Sequence, residues 1–177
     1  MNWYSAVSLK AYNTFAMDVK GKWFVTVSNL DELRTVIADE RWKNEKRLVL
    51  GGGSNVLFTQ DFDGVVLLNR FMGISHTLVD DETVLVSAAS GEVWHSFVLH
   101  CIENGWNGIE NLSLIPGCVG ASPIQNIGAY GVEIKDVFHT LEAVHTASGE
   151  LRTFDREECA FGYRESIFKQ KEKGNWI

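Results

Sequence analysis

No stretch of the 177-residue chain approaches the roughly 20 consecutive apolar residues needed to cross a bilayer. The opening residues, MNWYSAVSLKAYN, have neither a cationic start nor an apolar h-region, so no export signal is expected. Cysteine is scarce: Cys101, Cys118 and Cys159 lie far apart and form no CxxC pair. That argues against a disulfide frame or a zinc site, and for small buried or half-buried thiols in a reducing compartment. The cytoplasm is the expected location. Positive charge is in deficit, with Lys+Arg 16 against Asp+Glu 23 and a net charge of −7. Nucleic acid and anionic membranes both select basic surfaces, so neither is expected as a partner. The histidines show no pair at helical i, i+4 spacing, and no metal site is expected. There is no Gly-x-Ser-x-Gly elbow and no reactive-cysteine neighbourhood, so hydrolase chemistry has no support. The tryptophans are scattered and suggest no stacking platform for single strands.

What is present is an ordinary globular composition, 45% hydrophobic and 22% charged. A chain of this size buries about 70% of its unfolded surface and needs no staples. Disorder, collagen and coiled coil are excluded. Glycine is unevenly placed: of the 16, six fall between positions 105 and 131, and both prolines, Pro116 and Pro123, lie in the same stretch. Irregular segments of that length are uncommon in compact domains unless they do something.

The pattern predicts strands over 22–27, 47–50, 65–68, 74–79 and 83–88, with strand-like character at 56–58. A helix carrying Leu30, Leu33, Val36 and Ile37 is expected after a Ser28 cap. A second, carrying Val93, Trp94, Phe97, Val98, Cys101 and Ile102, is expected after a Ser90 cap and stops at Asn104-Gly105. A hairpin over 137–154 turns at 147–150. Asp155 with Glu158 reads as a capping box opening a short helix. Residues 175–177 read as the first residues of a strand.

Three segments are candidates for chemistry. Gly51, Gly52, Gly53, Ser54 and Asn55 follow a strand, and glycine's tolerance of positive φ lets successive N–H groups converge on anionic oxygens. The same residues also fit a plain tight turn. They are neither a Rossmann fingerprint nor a P-loop, because the spacing is not GxGxxG and no Gly-Lys-Ser/Thr follows. The second segment, 114–131, is nearly uncharged and rich in small residues. It suits close backbone approach to a flat, polar-edged ligand, with the Gln125 and Asn126 amides at its rim; an irregular passive connection is the alternative. The third, 161–166, offers Arg164 beside Tyr163, either as a solvated surface pair or as a fixed guanidinium for a carboxylate or a developing enolate.

Gly-Gly-Gly-Ser-Asn, Pro116-Gly117-Cys118-Val119-Gly120, Gln125-Asn126-Ile127-Gly128-Ala129-Tyr130-Gly131 and Phe161-Gly162-Tyr163-Arg164-Glu165-Ser166-Ile167-Phe168-Lys169 occur in that order, after Asn13-Thr14-Phe15. Together they resemble the UDP-N-acetylenolpyruvoylglucosamine reductase (UDP-N-acetylmuramate dehydrogenase) family, over essentially the whole chain. The resemblance implies an α+β, non-Rossmann FAD-binding fold of the vanillyl-alcohol-oxidase (PCMH) type, with one FAD-binding subdomain over 1–70 and a second, truncated one over 71–177. It implies tightly bound FAD, NADPH as hydride donor, and a UDP-sugar enolpyruvyl ether as substrate. The product is UDP-N-acetylmuramate, in peptidoglycan precursor synthesis and so in cell-wall biogenesis, cell shape and division. By the same resemblance, residues 51–55 take the FAD pyrophosphate. Ile115, Pro116, Gly117, Gly120, Ser122, Gln125, Asn126 and Gly128 line the flavin side. Ala121 stands where some relatives carry serine. Tyr163 contacts the cofactor, and Arg164 is the active-site arginine. The family's serine proton donor and its glutamate belong to a later substrate domain and match nothing here, so the chain reads as a fragment. The alternative is an FAD-binding module, or a non-productive remnant, without turnover.

Overall fold

The computed structural model describes all 177 residues. They cluster into two compact units: Met1–Phe71 with Ala147–Gly149, and Met72–Thr146 with Glu150–Ile177.

The first unit is built on a four-stranded sheet of β1 (Trp3–Ser8), β2 (Lys20–Val27), β3 (Lys46–Leu50) and β4 (Phe62–Asn69), in the order β1-β2-β4-β3. β1 runs antiparallel to β2, while β2 and β3 both run parallel to β4. The central strand reads Val65-Val66-Leu67-Leu68, all buried, as expected where a parallel strand is covered on both faces. One face packs Phe24, Val66 and Leu68 with Leu9, Val19, Leu50 and Phe58. Two helices lie between β2 and β3: α1 (Leu30–Ala38), which buries Leu33, Val36 and Ile37, and α2 (Glu40–Asn44), which buries Trp42.

The cap of α1 falls one residue later than expected. Asn29 Oδ1 accepts from the Glu32 N–H at 2.9 Å, and Glu32 Oε2 in return accepts from the N–H and the hydroxyl of Ser28, each at 2.8 Å. Residues 56–58 form no strand. Phe58 is instead buried in the apolar core, with Val56 packed against it.

The second unit holds three two-stranded pairs: β5 (Ile74–Leu78) with β6 (Val84–Ala88), β7 (Gly128–Ala129) with β8 (Val132–Glu133), and β9 (Thr140–Val144) with β10 (Leu151–Asp155). Its helix α3 (Trp94–Glu103) buries Trp94, Phe97, Val98 and Cys101. Ile102, expected on that face, is exposed. Ser90 does not cap α3. The N-cap position is Val93, without a side-chain bond. The glycine-rich segment meets that helix start instead: Trp94 donates to Gly117 O at 3.0 Å, Val119 to Glu92 O and Gly120 to Ser90 O, both at 2.9 Å.

Both capping-box bonds between Asp155 and Glu158 form, at 3.0 and 2.8 Å. No helix follows, because Ala160 turns left-handed (φ 46°) and Cys159 O accepts from Ile167 N–H instead. Residues 175–177 pair with the outer side of β9 as an antiparallel bridge rather than a full strand. Trp176 there stacks edge-on against Phe154. No helix is long and apolar enough to cross a membrane.

Candidate functional site

In the first unit the site candidate is the turn at residues 51–55, directly after β3. Gly53 has φ +64°, and a Cβ placed on it would lie 2.0 Å from Tyr12 O. The turn therefore lies hard against residues 12–14. Thr14 N–H donates to Gly53 O at 3.2 Å, with the Thr14 hydroxyl at 3.5 Å from the same oxygen. Asn13 is buried and braces this platform: Nδ2 donates to Leu9 O and Met17 O, and Oδ1 accepts from Met17 N–H. The N–H groups of Gly52, Gly53, Ser54 and Asn55 donate to no protein acceptor. Successive backbone N–H groups in a turn can make a concavity for anionic oxygens. Asn13 and Thr14 belong to the Asn-Thr-Phe motif, and the motif alone assigns neither a role. The signal for Asn13 is a buried side-chain amide, visible only once the fold is known, whereas Thr14 is exposed and meets the turn through its N–H and hydroxyl.

In the second unit the glycine-rich segment and the 161–166 turn are stitched together. Asn126 Nδ2 donates to Gly162 O at 2.8 Å, and the Ser166 hydroxyl donates to Ile124 O at 2.6 Å. Arg164 Nη1 donates to Asn126 O at 3.3 Å, and Nη2 donates to Gly128 O. Nη1 also lies 3.7 Å from Glu133 Oε1. The guanidinium carbon sits 5.2 Å from the Tyr163 ring centroid, within cation–π reach. Gly128 is glycine for a steric reason: a Cβ would come within 2.7 Å of both Arg164 Nη1 and Val132 O. Asn126 and Arg164 hold positive φ (42° and 53°). Such backbone costs about 1–3 kcal/mol at a non-glycine residue and persists only where its surroundings enforce it.

One expectation changes here. The Asn126 amide is fully buried (0% exposed). Nδ2 serves Gly162 O and Oδ1 accepts from Lys135 N–H, so the side chain serves the protein's own backbone rather than a ligand's rim. Ser122 is also buried, its N–H donating to Val119 O and its carbonyl accepting from Ile127 N–H. Ile115, Gly117 and Gln125 are half-buried, and Pro116 and Gly120 are exposed. Tyr163 is 84% exposed and Tyr130 89%, with Leu114 and Ile124 also open. Arg164 keeps 39% of its side chain accessible, enough to meet an anion.

The Lys135 ammonium, which bonds Glu133 Oε2, holds the Glu133 carboxyl below the usual carboxylate range; Asn126 and Arg164 add to this against the opposing effect of burial. None of the three cysteines is in a disulfide, and all are buried. Burial, with Asp155 and Glu158 nearby, pushes the Cys159 thiol up to about 12, so it is no nucleophile at neutral pH.

A family model described as FAD binding domain matches residues 22–155. Two curated relatives, both UDP-N-acetylenolpyruvoylglucosamine reductases, are 49% identical over 173 residues (Flavobacterium johnsoniae; 98% of this chain, 51% of the relative) and 48% identical over 177 (Pseudomonas putida; 100% and 52%). The chain spans about half the length of these relatives. The crystal structure of UDP-N-acetylenolpyruvylglucosamine reductase (MurB) from Thermus caldophilus matches with a TM-score of 0.71 at 25% identity, over 90% of this chain and 55% of that one. A solvent-stable cholesterol oxidase matches with a TM-score of 0.62 at 19% identity, over 89% and 34%, a likeness of fold alone.

Proposed function

From the premise that this chain belongs to the FAD binding domain family, with the α+β, non-Rossmann fold of the PCMH type, we propose that it is the FAD-holding portion of a UDP-N-acetylenolpyruvoylglucosamine reductase. The observation that carries the reading is the run of unspent N–H donors at Gly52, Gly53, Ser54 and Asn55. A diphosphate needs several donors close together, and this turn carries consecutive N–H groups without a lysine or arginine. With Gly51, these residues hold the FAD pyrophosphate. Ile115, Pro116, Gly117, Gly120, Ser122, Gln125 and Gly128 line the flavin side, and Tyr163 covers it, while Asn126 supports that wall from within. The two compact units are the two FAD-binding subdomains.

When bound, FAD supplies hydride transfer from NADPH to the enolpyruvyl double bond of the UDP-sugar. Arg164 presents its open face to the substrate carboxylate and stabilises the negative charge that develops there. The whole protein works in the cytoplasm, in peptidoglycan precursor synthesis.

The test is a titration of the purified chain with FAD, followed by visible absorbance and flavin fluorescence. Saturable binding with a perturbed flavin spectrum is expected. A chain that leaves the FAD spectrum unchanged at saturating protein sinks the reading. An NADPH-oxidation assay with the enolpyruvyl UDP-sugar then separates turnover from an FAD-binding module without it.

A further inference from the structure

Glu133 Oε1 is the one side-chain polar atom in the molecule that is shut off from solvent and takes no hydrogen bond. A buried carboxylate oxygen left unpaired is costly, and each such atom in a native fold calls for an account. Arg164 Nη1 stands 3.7 Å from it, inside ion-pair range but beyond a good hydrogen bond. The other carboxylate oxygen, Oε2, takes the Lys135 ammonium. Glu133 is therefore bonded to one cation and faces another, while its side chain also closes a capping box with the Asp136 N–H and lies beside the Asn126 amide.

The rest of Arg164's surroundings fix what that sharing does. Two of its N–H groups are spent on Asn126 O and Gly128 O, carbonyls of the glycine-rich segment. These neutral acceptors aim the guanidinium, but only Glu133 supplies charge on its buried side. Because Lys135 holds the carboxylate on its far oxygen, the pair with Arg164 stays open rather than closed. Lys135, Glu133 and Arg164 together keep one net positive charge, and the accessible face of Arg164 carries it.

We propose that Glu133 is the positioning residue of Arg164: its carboxylate, restrained by Lys135, holds the guanidinium in place while leaving its outer face positive for an anionic ligand. The role given to that outer face rests on the reading under Proposed function; the positioning itself does not.

The experiment follows the Arg164 guanidinium N–H signals by NMR in the full chain, assigned by their loss in Arg164→Lys. Wild type is expected to give resolved, slowly rotating guanidinium signals. In Glu133→Gln, which keeps the shape and removes the charge, they collapse to one exchange-averaged signal while the backbone spectrum stays that of the native fold. Ser166→Ala removes a neighbouring stitch without touching this charge, and it keeps the resolved signals. Lys135→Met frees the carboxylate to close on Arg164, and guanidinium exchange slows further. Resolved Arg164 signals persisting in Glu133→Gln overturn the proposal, as does faster guanidinium exchange in Lys135→Met; the latter holds even if the Gln variant does not fold. FAD is titrated into the same samples. A wild-type chain that binds no FAD but shows the Glu133-dependent Arg164 signals defeats the site reading and leaves the positioning role standing.

Discussion

Gly53 shows how one residue can commit a loop to a task. Its positive φ and the Tyr12 carbonyl 2.0 Å from any added Cβ leave room for hydrogen alone. Gly53→Ala forces both backbone strain and a clash with main chain that cannot step aside, at a cost of at least ~2 kcal/mol. We expect a lower urea midpoint with an unchanged m-value, and weaker FAD binding because the nest of N–H groups is re-aimed. A midpoint equal to wild type means that the turn relaxes freely and presents no fixed donor set. Asn13 acts on the same turn, and Asn126 does the equivalent in the second unit; each is a buried amide hydrogen-bonded to backbone through both its oxygen and its nitrogen.

At the level of elements, α1 begins at Asn29 rather than Ser28 because the Asn side chain reaches the Glu32 N–H, three residues on. Asn29→Ala removes a side-chain cap and is expected to cost about 1 kcal/mol. Ser28→Ala loses only one exposed hydroxyl bond to Glu32, and its N–H bond survives. Thermal unfolding of the two variants checks the order, with a drop of about 2–4 °C for Asn29→Ala and a smaller one for Ser28→Ala. The reverse order contradicts the cap geometry. α3 has no comparable handle; its first N–H, at Trp94, is met by Gly117 O, and residues 119–120 bond the chain just before it. Changes in that segment therefore act on the helix as well as on the candidate flavin wall.

Across the molecule, carboxylates bonded to backbone and side-chain donors share one tendency. Ser28's backbone and hydroxyl hold Glu32 below the usual range; the guanidinium of Arg41 does so for Asp39; the Asp155 backbone and then Arg152 do so for Glu158. Because the folded values are depressed, their contribution to stability is fully present above the unfolded carboxylate range. It is lost as pH falls through the folded values. Urea midpoints measured from neutral pH downward are expected to hold level and then drop below the ordinary carboxylate range. A midpoint that rises with acidification there contradicts the assigned partners.

What the sequence by itself determined was local: the periodicity of α1 and α3, the strands β2 to β6 and the β9–β10 hairpin but not β1, β7 or β8, the 147–150 turn and the places where glycine concentrates. Each is written in neighbouring residues, whose sterics and apolar spacing act over a few positions. The three chemical segments were legible for the same reason, as short runs of unusual composition. The tertiary structure alone decided which groups in those runs are spent and which are open. β4 enters between β2 and β3. Gly53 closes on Tyr12 and Asn13. The Asn126 amide turns inward to Gly162, and Arg164 is anchored on carbonyls at positions 126 and 128. The 56–58 strand and the helix after Asp155 failed on this account, because distant segments offered Phe58 a core and Cys159 O a donor. A hydrogen bond's partner depends on what the fold brings beside it, and that information is not contained in the few residues around the donor.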